Sequence, residues 1–133
     1  QVALKYEGDC VFFRGYDRAL SRLCVAACNF AVFPSFFEPC GLEDFIAQVY
    51  GTLPVAHATG GLCKIISEET GFLYGENTPE ELSDMLYSLI KIMDRAGKNI
   101  FNSMVCYAAS YVRENYSWQK VAQKYTELYE SLK

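Results

Sequence analysis

The sequence lacks the features that mark several large classes of protein. No apolar run approaches the ~20 residues that a membrane-spanning helix requires, so we expect no membrane span. Basic residues do not dominate, because 12 lysines and arginines stand against 16 aspartates and glutamates, for a net charge of −4. This balance argues against a nucleic-acid or acidic-membrane surface. It leaves a phosphorylated ligand open, since a few local N–H donors can hold one.

Cysteine is present, but it lacks the spacing of a metal or redox site. The six cysteines form no C-x-x-C pair and match no zinc-binding spacing. Cys24 and Cys28 lie four residues apart, on one face of a predicted helix, where a thiol behaves as a small hydrophobic group. We therefore expect reduced thiols, no disulfide, no metal site, no cofactor and a cytoplasmic location.

The length of the sequence is typical of one domain. With 133 residues, 51% of them hydrophobic and 21% charged, residues 1–133 are expected to form a single globular domain. Such a chain builds a real core but is small for a complete two-substrate enzyme.

The stretch from Val32 to Leu62 contains the strand, helix and loop signals around which the rest of the chain is interpreted. Short apolar runs at 30–33 and 53–56 predict strands, and residues 41–50 between them predict a helix. This order is typical of a parallel sheet, in which Pro54 implies an edge or strand-start position. Polar loops follow both strands at their carboxyl ends, where open α/β sheets bind ligands.

The flanking segments complete a Rossmann-like, three-layer α/β domain with a parallel sheet and helical C-terminal cladding. Upstream, residues 11–13 predict a strand, and Asp17 predicts the N-cap of a helix with an apolar stripe from Leu20 to Cys28. Downstream, residues 70–74 predict the last strand.

The C-terminal half predicts three helices. Thr78, Pro79 and Glu81 predict a helix start with a capping box. Residues 98–114 and 117–132 predict two further helices, the last with an apolar and aromatic side.

Three motifs stand in one order: Phe37-Glu38-Pro39-Cys40-Gly41-Leu42, Tyr50-Gly51-Thr52-Leu53-Pro54-Val55 and Thr59-Gly60-Gly61-Leu62. With weaker matches from about residue 14 to 132, they resemble bacterial glycogen synthases and plant starch synthases. That family builds α-1,4-glucans from a nucleotide glucose, usually ADP-glucose and otherwise UDP-glucose, with retention at the anomeric carbon. The resemblance implies the C-terminal, donor-binding lobe of its two-lobed GT-B fold. It also implies a partial enzyme that is inactive alone, with the α-glucan acceptor bound through the missing N-terminal lobe.

The resemblance also implies roles for individual residues. Tyr16 matches a residue that stacks on the nucleotide base, and Glu38 matches the catalytic carboxylate that contacts the donor sugar. Backbone N–H groups matching phosphate and sugar contacts belong to Cys40, Gly41, Leu42, Thr59, Gly60 and Gly61. Simpler interpretations remain open: Tyr16 as a half-buried aromatic, Glu38 as a helix-dipole partner, and the glycine pair as a plain turn.

The sequence also departs from the family pattern. The family usually has Gln where this chain has Asp44, and Asp where it has Lys64. A basic pair that holds the distal phosphate in the family has no counterpart upstream of Tyr16. His57, the single histidine, is expected to be a structural hydrogen-bonding residue.

Three functions fit these sequence features. The first is the donor lobe of a glucan-building glycosyltransferase. The second is a non-catalytic module that binds a nucleotide or a glucan with the same fold. The third is a doubly wound domain for another phosphorylated ligand.

Overall fold

The computed structural model describes residues 1–132, apart from the side chains at positions 96 and 98. Helices and short strands alternate along the first half of the chain. The helices are α1 (Val2–Lys5), α2 (Arg18–Ala27), α3 (Glu43–Tyr50), α4 (Pro79–Asn115) and α5 (Trp118–Ser131). The strands are β1 (Phe30–Phe33), β2 (Leu53–His57) and β3 (Phe72–Tyr74), and a 3-10 turn spans Gly60–Lys64.

The three strands form one parallel sheet in the order β1-β2-β3. Phe30 pairs with Leu53, and Val55 pairs with Phe72. The parallel pairing of β1 and β2 confirms the predicted fold class. An edge position for Pro54 is wrong, because β2 is the central strand. Pro54 is instead the second residue of that strand, near its start, where a residue without an N–H group is tolerated.

Both faces of the sheet are covered. Leu53 and Val55 of β2 are buried in one cluster with Leu89 of α4. Ala56, which points to the opposite face, is buried in a second cluster with Leu62 of the 3-10 turn. Shielding on both faces is what a parallel sheet requires, and it agrees with the Rossmann-like architecture.

Helix α4 consists of two helical segments that meet at Gly97. The backbone of Gly97 is non-helical, with φ 72° and ψ 168°, and the sequence predicted separate helices on either side of it. Leu89 before the break and Ala108 after it both belong to the first buried cluster. Both segments therefore cover the sheet.

The start of α4 follows the predicted pattern only in part. Thr78 is the N-cap, and its hydroxyl oxygen accepts the N–H of Glu81 at 3.2 Å. The predicted capping box is wrong in its second half, because the N–H of Thr78 is donated to the carbonyl of Glu76 at 2.7 Å. The Glu81 carboxylate instead accepts the N–H groups of Gly75 and Glu76, at 3.1 and 2.8 Å.

The strand predicted at residues 11–13 is wrong. The segment is irregular, and the side chains of Val11 and Phe12 are exposed. Among residues 1–132, no strand lies beside it, so its backbone has no ladder to join.

The predicted apolar stripe of α2 is not a buried face. The helix begins as predicted, because the Asp17 carboxylate accepts the N–H of Leu20 at 2.8 Å. Leu20 and Leu23 are nevertheless exposed, and Val25 is the half-buried residue of α2. The side of α5 that includes Tyr129 is likewise exposed.

The Thr78 cap can be tested by its removal. We expect Thr78→Ala to lower the free energy of unfolding by about 0.5–2 kcal/mol, because the N–H of Glu81 loses its acceptor. Urea unfolding followed by circular dichroism measures the loss. Thr126→Ala is the matched control, since the Thr126 hydroxyl bonds back to the Ala122 carbonyl inside a helix. Equal losses in the two variants would contradict the cap.

Candidate functional site

Two loops meet at the edge of the sheet where β1 and β2 end. We call residues 36–42, between β1 and α3, the acidic loop, and residues 58–62, after β2, the glycine turn. Since β1 and β2 are parallel, their carboxyl ends lie at the same edge. The sequence predicted this edge as the ligand-binding side.

The two loops are in direct backbone contact. The N–H of Gly61 donates to the carbonyl of Glu38 at 2.7 Å. A Cβ at Gly60 would overlap the carbonyl oxygen of Glu38, and a Cβ at Gly61 would overlap that of Cys40. The glycine pair thus lets one backbone pack on another. At this point the two loops are packed against each other.

Glu38 is held at this junction by its own loop. Its Oε1 accepts the N–H of Gly41 at 2.9 Å, and Gly41 has a left-handed φ of 67°. The half-buried Glu38 side chain is therefore fixed in orientation. Its other oxygen, Oε2, makes no hydrogen bond within residues 1–132, so one acceptor remains for a ligand.

Fewer N–H groups are available than the sequence suggested. The N–H of Gly41 is donated to Glu38, that of Gly61 to the Glu38 carbonyl, and that of Thr59 to the His57 carbonyl at 2.8 Å. The expectation that both loops offer unpaired N–H groups is therefore wrong for these three residues. In the described part of the acidic loop, the N–H groups of Cys40 and Leu42 have no partner.

Lys64 bonds to both loops, and the sequence did not identify it as part of the site. Its ammonium donates to the carbonyls of Cys40 at 2.7 Å and Gly61 at 2.9 Å, and also to that of Gly41. The same ammonium lies 2.9 Å from Oδ1 of Asp44. It thereby bonds to the acidic loop, the glycine turn and α3 together.

Asp44 is a buried carboxylate whose partner is this lysine. Its side chain is 0% exposed, and its Oδ2 has no hydrogen-bond partner among the described residues. Burial raises the pKa of the Asp44 carboxyl above its ordinary value of 3.8, and the Lys64 ammonium offsets only part of that rise. The available sequence signal was that positions 44 and 64 both depart from the family pattern.

Tyr16 precedes α2, and the cavity that it lines includes no residue of the two loops. Its side chain is 86% exposed and lines a cavity of about 450 Å³ between α2 and α3. Arg18 and Arg22 of α2 and Glu43 of α3 line the same cavity. Tyr16 is therefore not a half-buried aromatic. An exposed ring beside an open cavity can stack on a planar group.

His57 has the structural contacts expected of it. Its Nδ1 lies 2.7 Å from the Ser35 carbonyl, and its ring centroid lies 5.8 Å from that of Tyr74. The hydrogen bond connects the end of β2 to the residue that precedes the acidic loop. His57 thus fixes the distance between the end of β2 and the start of the acidic loop.

Neither a metal centre nor a membrane span is found in residues 1–132. No three His, Cys, Asp or Glu side chains in that range are grouped to hold an ion. No described helix combines the length and the apolarity that crossing a bilayer demands. All six cysteines are free thiols.

The backbone contact between the loops can be tested at Gly61. We expect Gly61→Ala to lower the free energy of unfolding by about 1–3 kcal/mol, because the new Cβ would displace the carbonyl of Cys40. Gly75→Ala is the matched control, since a Cβ there would meet nothing closer than 3.8 Å. Urea unfolding of both variants decides, and a Gly61→Ala protein as stable as the control would refute the contact.

The raised pKa of Asp44 predicts a pH dependence of stability. The folded protein holds this proton more tightly than the unfolded chain between 3.8 and the raised pKa, so stability falls as pH rises through that window. We expect the unfolding free energy of the wild type, relative to Asp44→Asn, to decrease with pH there. Urea titrations at a series of pH values measure it. A difference that is flat or increases with pH would contradict the prediction.

Known proteins are similar to this chain in both sequence and fold. Residues 1–91 match the family model described as "Glycosyl transferases group 1". The chain is 35% identical to a glycogen synthase of Pseudomonas fluorescens strain Pf0-1, over 99% of this chain and 26% of that protein. It is 34% identical to a glycogen synthase of Thermodesulfovibrio yellowstonii, over 96% of this chain and 25% of that protein. The chain thus spans about a quarter of these relatives.

Solved structures of related enzymes also superpose on this chain. The catalytic domain of starch synthase IV from Arabidopsis thaliana, bound to ADP and acarbose, superposes with a TM-score of 0.75 at 30% identity, over 88% of this chain and 25% of that one. Sucrose-phosphate synthase from Thermosynechococcus elongatus superposes with a TM-score of 0.73 at 28% identity, over 98% and 32%. The neighbours are GT-B glycosyltransferases. This chain belongs to the group 1 glycosyl transferase family.

Proposed function

We propose that this chain is the donor-binding lobe of a retaining α-1,4-glucan synthase. In this proposal the complete enzyme transfers glucose from ADP-glucose, or from UDP-glucose, to a growing glycogen or starch chain. The observation that carries the proposal is the pair of docked loops at the carboxyl edge of β1 and β2, with the Glu38 carboxylate at their junction. The similarity to glycogen synthases, and to a starch synthase bound to ADP, supports it.

The nucleotide would lie over the acidic loop, with its base against Tyr16. The cavity beside Tyr16 is open, and the cations of Arg18 and Arg22 line it. The diphosphate would face the N–H groups of Cys40 and Leu42, at the start of α3, where the helix macrodipole favours an anion. Thr59, Gly60 and Gly61 would form the second wall of this binding surface.

Glu38 would act on the sugar. Since Oε1 is held by the N–H of Gly41, Oε2 is the oxygen available to accept a bond from a glucose hydroxyl. A fixed carboxylate near the anomeric carbon would also stabilise positive charge as the bond to the leaving phosphate breaks. The fixed orientation of its carboxylate would be the contribution of this residue.

The acceptor would come from a second lobe. Retaining transfer requires the acceptor hydroxyl to be held against the anomeric carbon, and such positioning supplies a large share of a rate enhancement. The residues proposed here all serve the donor. The chain alone is therefore expected to bind nucleotide without transferring glucose to a glucan.

Titration of isotope-labelled protein with ADP tests the nucleotide site. We expect weak binding that shifts the amide signals of Cys40 and Leu42, and we expect Tyr16→Ala to lose about 1–3 kcal/mol of binding through lost stacking. Tyr129→Ala, which removes an exposed tyrosine of α5, is the matched control. Titration with UDP shows which base is preferred. Shifts confined to the surfaces of α4 and α5 would exclude this site.

A further inference from the structure

One ammonium group, that of Lys64, bonds to both loops of the site. The Nζ of Lys64 lies 2.7 Å from the carbonyl oxygen of Cys40 and 2.9 Å from that of Gly61, and it also bonds to the carbonyl of Gly41. These carbonyls belong to segments that lie 20 residues or more apart in the sequence. Lys64 also lies over the Phe45 ring, with Nζ 4.3 Å from its centroid.

The position of the ammonium excludes a direct role with a ligand. A lysine has three N–H donors, and the three carbonyls together with the Asp44 carboxylate already provide four acceptors. The Lys64 side chain is only 16% exposed. A diphosphate would have to displace one of these acceptors to reach Nζ.

The effect of Lys64 on the loops follows from peptide geometry. In a planar trans peptide, the carbonyl and the next N–H point in opposite directions. By holding the carbonyl of Gly41 inward, Lys64 turns the N–H of Leu42 away from itself. That N–H has no partner within residues 1–132, so it is left for a ligand. The carbonyl of Cys40 and the N–H of Gly41 are related in the same way, and Glu38 accepts that N–H.

We propose that Lys64 is a positioning residue of the donor site, which orients the acidic loop and holds the glycine turn against it through the carbonyls of Cys40, Gly41 and Gly61. This proposal rests on the proposed function for its ligand, but its structural part does not. The charge of Lys64 acts on backbone carbonyls, and the N–H groups that those carbonyls orient act on the diphosphate.

Two measurements on the labelled chain test the proposal. The first is hydrogen exchange of the Gly61 amide, which bonds to the Glu38 carbonyl, normalised to the amide of Val55 in β2. The second is the affinity for ADP, followed at the amide of Leu42. The variants are Lys64→Met, Asp44→Asn and the control Lys91→Met. Lys91 also lies over an aromatic ring, with Nζ 4.1 Å from the Tyr87 centroid, but on α4.

In Lys64→Met we expect Gly61 exchange to accelerate, and ADP affinity to fall, each by at least about tenfold, the loss expected from one charge-assisted hydrogen bond. Lys91→Met should match the wild type. Asp44→Asn should stay within about twofold on both measurements, because it keeps the three carbonyl bonds. This variant separates orientation of the loops from the ion pair.

The contrary results are distinct. The positioning role is overturned if the Gly61 amide of Lys64→Met exchanges at the wild-type rate, or if its exchange accelerates while the affinity for ADP is unchanged. It is also overturned if Asp44→Asn is as impaired as Lys64→Met. If wild-type protein shows no ADP shift at Cys40 or Leu42, the proposed function fails. The exchange of Gly61 then decides the structural role of Lys64 alone.

A folding failure of Lys64→Met would not end the test. That variant leaves the Asp44 carboxylate buried without its cation, which is strongly destabilising. The double variant Asp44→Asn, Lys64→Met removes the buried charge and is compared with Asp44→Asn. The same tenfold changes are expected in this pair, and their absence overturns the proposal.

Discussion

The site depends on one steric constraint: two stretches of backbone approach each other so closely that neither Gly60 nor Gly61 can carry a side chain. This contact sets the position of the Glu38 carbonyl, which accepts the N–H of Gly61. It also brings the carbonyls of the two loops near enough for one lysine to reach them. The Glu38 carboxylate is oriented within its own loop, where it accepts the N–H of Gly41. Glycine at these two positions is therefore required for packing.

The sheet could be predicted from the sequence because its strands are short apolar runs and its central strand, β2, is buried on both faces. Continuous apolar runs such as those of β1 and β2 are typical of buried strands. The helix between them is long enough to connect the two strands in a parallel pair. Residues 11–13 carry the same local signal and form no strand. A strand exists only where a neighbour accepts its hydrogen bonds, and local composition does not show whether that neighbour is present.

The site was predictable only to the extent that its motifs were recognisable. The resemblance identified Glu38 and the glycines, and the structure brings them together. It did not show that the N–H groups of Gly41 and Gly61 would be used within the protein. Nor did it identify Lys64, because the acceptors of this lysine lie in segments whose proximity is set by the tertiary fold. Helical and strand periodicity carry no information about such contacts.

The ion pair between Lys64 and Asp44 also limits how this sequence can change over generations. The sequence resemblance marked both positions as departures from the expected family pattern, and the structure shows that they are direct partners. Replacing Lys64 alone by Asp would place two carboxylates together in a buried site, and replacing Asp44 alone by Gln would remove the lysine's counter-charge. The two codons should therefore be under joint selection, so that a lineage that alters one gains from altering the other. The fitness effect of either substitution would depend on its partner.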